Sequence, residues 1–177
     1  NFRDFMGIGF WDILASNFYI SGIDFRDFQF KSVTDHIFQF GDIIKNSSNS
    51  RIYNCSFFDD ASTPPEPTVK KLINVIKADN LSISNCNFGT DKSKAIIYHL
   101  SGYIFIDKNQ ATGFITIDSN IFVNRGVAID GYGGVLHISK NIFGAVDTST
   151  VANLLDPELA IRGSFLAGAE INNNFFI

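Results

Sequence analysis

Charged side chains are scarce in this chain, and neither sign dominates. Lys and Arg number 14 and Asp and Glu 18, which makes 18% of the 177 residues charged and gives a net charge of −4. This balance argues against a nucleic-acid-binding surface, which requires a basic stripe. No apolar run approaches the roughly 18 to 20 residues of a membrane span, and no basic-then-apolar leader is visible.

Hydrophobic residues, by contrast, make up 45% of the sequence, a proportion that a disordered chain does not reach. Phenylalanine accounts for 19 residues, against one Met and one Trp. Such a bias indicates an architecture that uses Phe repeatedly at equivalent positions.

A six-residue pattern, Ile-x-x-(Cys/Asn/Ile)-x-Phe, recurs along the chain, with starts 21 to 34 residues apart. Its copies are ISGIDF from Ile20, IYNCSF from Ile52, ISNCNF from Ile83, IDSNIF from Ile117, ISKNIF from Ile138 and INNNFF from Ile171. A fixed strand core between connections of variable length is typical of a parallel β-helix, because loops vary while strands stack. We therefore predict an all-β fold, a right-handed parallel β-helix of about six coils, with residues 1–177 forming a single segment of it.

Alternation within the pattern predicts which side chains point inward. Polar residues flank the Ile column, so Ile and the following Phe should form two stacked interior columns. The fourth position holds Asn120, Asn141 and Asn174 in the later copies, where stacked amides can satisfy backbone groups at a bend. A third strand is predicted before each copy at HIFQF, KLINVI, AIIYHL, GVAID and ELAIRG, with DDASTPPEP and SGYIFIDKNQATG as insertions.

Neither end of the sequence shows a polar cap, which a free-standing solenoid needs over its stacked apolar side chains and strand edges. We therefore expect the chain to be a segment of a longer protein or to stack on a partner.

Cys55 and Cys86 occupy the same repeat position and should be neighbours in adjacent coils. Their predicted spacing falls inside the range of disulfides, but stacked side chains point in parallel, so two buried free thiols and a disulfide both remain possible. No His or Cys lies at zinc-ligand spacing, and no metal site is assigned. His137 is predicted to be a solvated strand residue, and Asp59 with Asp60 either a solvated pair or calcium ligands.

Arg162 follows the inward Ile161 and should face outward from a third strand. One coil earlier, Asp130 follows the inward Ile129 in the stretch IDGYGG, and Tyr132 comes two residues later. We expect Asp130 and Arg162 to occupy matching places in adjacent coils. An Arg, an Asp and a Tyr on one outer face form a candidate site for an acidic sugar.

The segments NFYISGIDFRDF and RIYNCSFFDDASTPPEPTVKKLINVIKADNLSISNCNFGTDKSKAIIYHL resemble the polysaccharide lyase family of alginate lyases and chondroitinase B, within the pectate-lyase-like superfamily. The resemblance covers about half of the chain. It implies β-elimination on a uronate-containing glycan such as alginate, in which a Lys abstracts the C5 proton and an Arg assists the leaving oxygen. Arg162 falls on the family's Arg, and Tyr132 stands where the Lys belongs. Calcium is a possible cofactor by this resemblance. The positions expected to supply its carboxylate ligands fall near Arg125 and Val127, which cannot bind it.

Two functions remain open from the sequence. The first is a secreted or cell-surface, polysaccharide lyase-like protein, with Arg162 and Tyr132 as catalytic candidates and Asp130, Lys94 and His99 as candidates for contact with an acidic polysaccharide. The second is a non-catalytic β-helix, such as an adhesin stalk or a phage tail spike segment. Fold alone does not choose between them.

Overall fold

The computed structural model describes residues 11–26, 36–59, 72–90, 103–107, 113–123, 127–132, 134–144, 161–165 and 168–177. Within these ranges the chain forms eighteen β-strands and no helix. None of the described segments is therefore a helix that could cross a membrane.

The strands belong to three sheets of six strands each. Sheet 1 contains β1 (Trp11–Ile13), β4 (Phe38–Phe40), β7 (Ile73–Val75), β10 (Ile104–Asp107), β13 (Val127–Tyr132) and β16 (Ile161–Phe165). Sheet 2 contains β2 (Tyr19–Ser21), β5 (Ser47–Tyr53), β8 (Ala78–Ser84), β11 (Phe114–Asp118), β14 (Val135–Ser139) and β17 (Ala169–Asn172). Sheet 3 contains β3 (Asp24–Arg26), β6 (Ser56–Asp59), β9 (Asn87–Thr90), β12 (Ile121–Val123), β15 (Ile142–Gly144) and β18 (Phe175–Phe176).

Each of the first fifteen strands pairs in parallel with the strand three places later in the chain. The chain therefore passes through sheets 1, 2 and 3 in turn and then returns to sheet 1 one level along the axis. Neighbouring levels are separated by the strand spacing of roughly 4.7–4.9 Å. This arrangement is a parallel β-solenoid, and the prediction of an all-β parallel solenoid is confirmed.

The interior of the solenoid is built from the predicted Ile and Phe columns. Ile52, Ile83, Ile117 and Ile138 have no exposed surface, and the rings of Phe57, Phe88 and Phe122 stack face to face with centroids 4.9 Å apart. The two columns become exposed to solvent at the last level, where Ile171 is 44% and Phe176 is 64% exposed. Ile171 and Phe176 nevertheless remain in register with Ile138 and Phe143, so the predicted inward columns are confirmed.

A ladder of amides satisfies the backbone at the bend between sheets 2 and 3. The side chains of Asn120 and Asn141 each donate from Nδ2 to the Oδ1 of the Asn one level on, at 3.0 Å in both cases. The Oδ1 atoms of Asn120, Asn141 and Asn174 also accept from the backbone N–H groups of Cys86, Asn120 and Asn141, respectively, at 2.9 to 3.0 Å. The predicted role of the Asn column is confirmed.

The residue before this ladder adopts the left-handed backbone conformation at every level. Its φ angle lies between 52° and 67° at Gly22, Asn54, Asn85, Ser119, Lys140 and Asn173. Glycine and asparagine tolerate this region better than other residues. The tight turn therefore explains why four of these six positions hold Gly or Asn.

One predicted strand requires correction. The segment SGYIFIDKNQATG was interpreted as an insertion, yet it supplies β10, in which Ile104 and Ile106 are buried. Because β10 pairs with β7 on one side and β13 on the other, the sheet 1 position assigned to AIIYHL is already occupied. The segment AIIYHL itself lies outside the described residues.

Candidate functional site

The structure brings three of the predicted site residues to one sheet. Asp130 and Tyr132 lie in β13 and Arg162 lies in β16, and these two strands are neighbours in sheet 1. Their backbone positions therefore lie within a few residues of one another, on the sheet that begins each level of the solenoid. This grouping is the geometric basis of the candidate site.

The register within the site differs from the predicted one. Arg162 pairs with Ala128, whereas Asp130 pairs with Ser164. The strands align Ile161 with Val127 rather than with Ile129, so Arg162 and Asp130 are two positions apart along the strands and not directly opposite. A shift of two residues keeps the same set of side chains on the inward face, so the apolar alternation is satisfied equally well by either register.

An irregularity follows Asp130 in the same pair of strands. The register shifts between Asp130 and Tyr132, and Tyr132 pairs with Phe165. Such local changes in register bend a strand and alter the direction of the residues around it. Tyr132 therefore lies where β13 departs from regular pairing, at the end of the strand nearest sheet 2.

Asp107 is a polar residue of this region that the sequence interpretation missed. It ends β10 and pairs directly with Asp130, so two carboxyl-bearing residues occupy neighbouring strands at the same level of the register. Asp107 is half-buried. The alternation of Ile104 and Ile106 just before Asp107 indicates a strand. The interpretation of this segment as an insertion left that signal unused.

The remaining predicted contacts are not placed by the structure. Lys94 and His99 lie outside the described residues, as do Asp60 and Arg125. Val127, near which the resemblance places a calcium ligand, is buried in the interior and has no group that could bind a cation. Within the described ranges, no group of three or more His, Cys, Asp or Glu side chains is arranged to hold a metal ion.

His137 lies on the outer face of sheet 2, as predicted, but it is paired. Its Nδ1 atom lies 3.1 Å from Oε2 of Glu170, one level further along the sheet. Both side chains retain contact with solvent. The ring is therefore an outward strand residue with a carboxylate partner, on a different sheet from Arg162.

Cys55 and Cys86 are both free and buried. Interaction with the neighbouring Cys55 thiol, together with burial, raises the pKa of the Cys86 thiol. The sulfur of Cys86 also lies 3.3 Å from the carbonyl oxygen of Ser84. Of the two alternatives left open by the sequence, the structure contains the reduced pair.

We expect neither thiol to react with a bulky thiol reagent in the native protein, because both sulfur atoms lie inside the solenoid. Titration in denaturant without reductant should then release two thiols per chain. Finding none after denaturation would instead reveal a disulfide between the two levels.

Comparisons with known proteins yield no relative. No protein-family model, no curated protein sequence and no solved structure matches this chain.

Proposed function

We propose that this protein binds an acidic polysaccharide on the outer face of sheet 1 and is polysaccharide lyase-like. The observation that carries the proposal is the placement of Arg162, Asp130 and Tyr132 on two neighbouring strands of one sheet. The sequence resemblance to the family of alginate lyases and chondroitinase B supplies the class of ligand, a uronate-containing glycan.

Arg162 is the proposed contact for the uronate carboxylate. A guanidinium group can donate two parallel hydrogen bonds to a carboxylate, which gives both affinity and orientation. The observed register favours this role, because Arg162 is not directly opposite Asp130 and so is not paired with it by position. Asp130, Lys94 and His99 are proposed to contact sugar hydroxyls and charges around it.

Tyr132 is the proposed base if the site is catalytic. In β-elimination its phenolate oxygen takes the C5 proton, a double bond forms between C4 and C5, and the C4–O bond breaks. The leaving oxygen keeps the electron pair and receives a proton from water, while Arg162 stabilises the charge that develops on the carboxylate.

We further propose that the solenoid is right-handed, because crossover connections between parallel strands are almost always right-handed. We also propose that it has about six coils. The protein would belong to the pectate-lyase-like superfamily and act outside the cell or at its surface, where acidic polysaccharides occur.

A non-catalytic, structural role is the second candidate. The stacking of six strands in each sheet favours it, because a solenoid lengthens by repeating one structural unit. In this alternative the solenoid stacks on further coils or on a partner and serves as a stalk or spike segment.

Arg162→Ala tests the binding site. We expect it to weaken binding of alginate, pectate or chondroitin oligosaccharides about tenfold, the effect of losing one charge-assisted hydrogen-bonded contact, with little change in melting temperature. Isothermal titration calorimetry measures the affinity, and Lys140→Ala, at an exposed lysine away from sheet 1, is the matched control. Equal affinities for wild type and Arg162→Ala would move binding away from this face.

The reaction itself is tested by following the absorbance of unsaturated uronate during incubation with the same three polymers. We expect the wild type to release unsaturated products from one of them and Tyr132→Phe to release none. A wild type that binds the polymer without releasing products would favour the structural alternative.

A further inference from the structure

The outer face of sheet 2 carries a second group of side chains suited to a sugar ligand. It lies on β2, β5 and β8, whose inward residues are Ile20, Ile52 and Ile83. Because side chains alternate along a strand, the residues on either side of these positions face outward. Tyr19, Arg51 and Tyr53 occupy this outer face, which belongs to a different sheet from Arg162.

The guanidinium group of Arg51 packs against the aromatic ring of Tyr53. Its guanidinium carbon lies 4.5 Å from the centre of the Tyr53 ring, within the distance of a cation–π interaction. The side chain is exposed, and within the described ranges it makes no ion pair with a carboxylate. The ring therefore orients the guanidinium group while its charge stays available to an anion from solvent.

Tyr19 extends the same surface by one level. It pairs with Arg51 in the register of β2 and β5, and 59% of it is exposed. An exposed aromatic ring beside a fixed cation offers two complementary contacts to an anionic pyranose. The aromatic ring stacks on the apolar face of the sugar, and the cation donates a charge-assisted hydrogen bond to the acid group of the sugar. A patch of exposed aromatic side chains on a sheet face is typical of a surface that binds a ligand.

Two amides border this cluster on the same strands. Nδ2 of Asn80 donates to Oδ1 of Asn49 at 3.0 Å, and both residues are exposed, have left-handed backbones and interrupt the pairing of β5 with β8. The bond leaves Nδ2 of Asn49 and Oδ1 of Asn80 without partners in the described part of the chain. One donor and one acceptor two residues from Arg51 suit the hydroxyl groups of a sugar.

Charge along the face indicates which end an acidic chain would occupy. Carboxylates lie on the strands beyond β8, with Asp118 on the neighbouring β11 and Glu170 on β17 at the far edge of the sheet. Asp118 is engaged by the hydroxyls of Ser119 and Ser139 at 2.8 and 2.7 Å, and Glu170 by His137. Asp118 also lies 3.9 Å from Nζ of Lys140, whereas Arg51 makes no ion pair in the described part of the chain, so an anionic polymer is attracted to the Arg51 end.

From these contacts we propose that Tyr19, Arg51, Tyr53, Asn49 and Asn80 form a second binding site, for an anionic pyranose unit of an acidic polysaccharide. The class of ligand rests on the proposed function, whereas the position of the site rests on the contacts of sheet 2 alone. Successive levels of the solenoid are separated by about 4.8 Å, a distance comparable with one sugar unit, so adjacent levels can contact adjacent parts of a glycan. A chain bound here would be held by a face separate from Arg162.

The test measures binding of the full chain to oligouronates from alginate and pectate and to a chondroitin sulfate oligosaccharide, by calorimetry. We expect Arg51→Ala to weaken binding about tenfold and Tyr19→Ala about threefold, with melting temperatures unchanged. Arg51→Lys keeps the charge and loses the planar fork, so it should recover only part of the affinity. Lys140→Ala is the control for a general loss of positive charge, and the comparison of carboxylated with sulfated glycans identifies the acid group.

Arg162→Ala measured beside these variants separates this inference from the proposed function. If Arg162→Ala weakens binding and Arg51→Ala does not, the second site is wrong and the proposed function stands. If Arg51→Ala weakens binding and Arg162→Ala does not, the second site is supported and the sheet 1 site fails. Absence of glycan binding by the wild type overturns both, and equal binding of a single-stranded oligodeoxynucleotide overturns the second site by reducing it to general attraction of polyanions.

Discussion

Phe88→Ala is expected to lower the free energy of unfolding by about 3 to 5 kcal/mol, the usual cost of truncating a large side chain in a packed core. Phe88 stacks on Phe57 on one side and on Phe122 on the other, with both centroid distances at 4.9 Å, and is 1% exposed. Removing its ring leaves a cavity between two rings that are fixed by strands on adjacent levels, so the neighbours cannot easily close it. Chemical denaturation measures the loss.

The sequence supplies a matched control for this substitution. Phe114 lies on the outer face of sheet 2 and is 54% exposed, so Phe114→Ala should cost less than about 1 kcal/mol. Similar losses for the two variants would mean that the Phe column is not the core of the solenoid.

Gly41→Ala is expected to destabilise the protein by about 3 kcal/mol for two combined reasons. Gly41 has a φ of 71°, where a side chain costs about 1 to 2 kcal/mol, and its N–H donates to the carbonyl oxygen of Ile13 at 3.0 Å. A Cβ atom there would also clash with the carbonyl oxygen of Lys77. Because this oxygen belongs to the backbone of the next level, relief requires a shift of the level itself, which adds a cost of the same order.

Gly22→Ala separates the two contributions. Gly22 has a similar φ of 67°, but a Cβ atom there meets nothing within 4 Å. Its substitution should therefore show only the conformational cost of about 1 to 2 kcal/mol. Thermal or denaturant unfolding of both variants gives the comparison, and equal losses would exclude a close approach between the levels at Gly41.

The repeating interior was predictable from the sequence because it depends on a local signal. Ile and Phe recur at a fixed separation within each copy, so Ile52 with Phe57 and Ile83 with Phe88 identify the same two inward positions without knowledge of the loops between them. The Asn ladder was predictable for the same reason, since Asn120 and Asn141 occupy one position of the copy.

The first sheet was predicted less well because its strands lie outside the repeated pattern. Its register cannot be read from alternation, as the pairing of Arg162 with Ala128 shows, because a two-residue shift leaves the inward set unchanged. The position of β10 and hence of Asp107 was missed because an apolar stretch at AIIYHL offered an equally plausible strand. The Arg51 cluster was missed for another reason: a contact between Arg51 and Tyr53 depends on rotamers, which the sequence does not specify.

The central claim is that strands about one repeat apart in the sequence stack in parallel register around a shared interior. A crystal structure of this chain tests it most directly. The account predicts that Ile52 lies beside Ile83 in a parallel pair, that Phe57, Phe88 and Phe122 form one stack with centroids near 4.9 Å, and that Arg51 lies over Tyr53 on the outer face. Antiparallel hairpins between strands that are consecutive in the chain, or a register that turns these Phe rings outward, would contradict it.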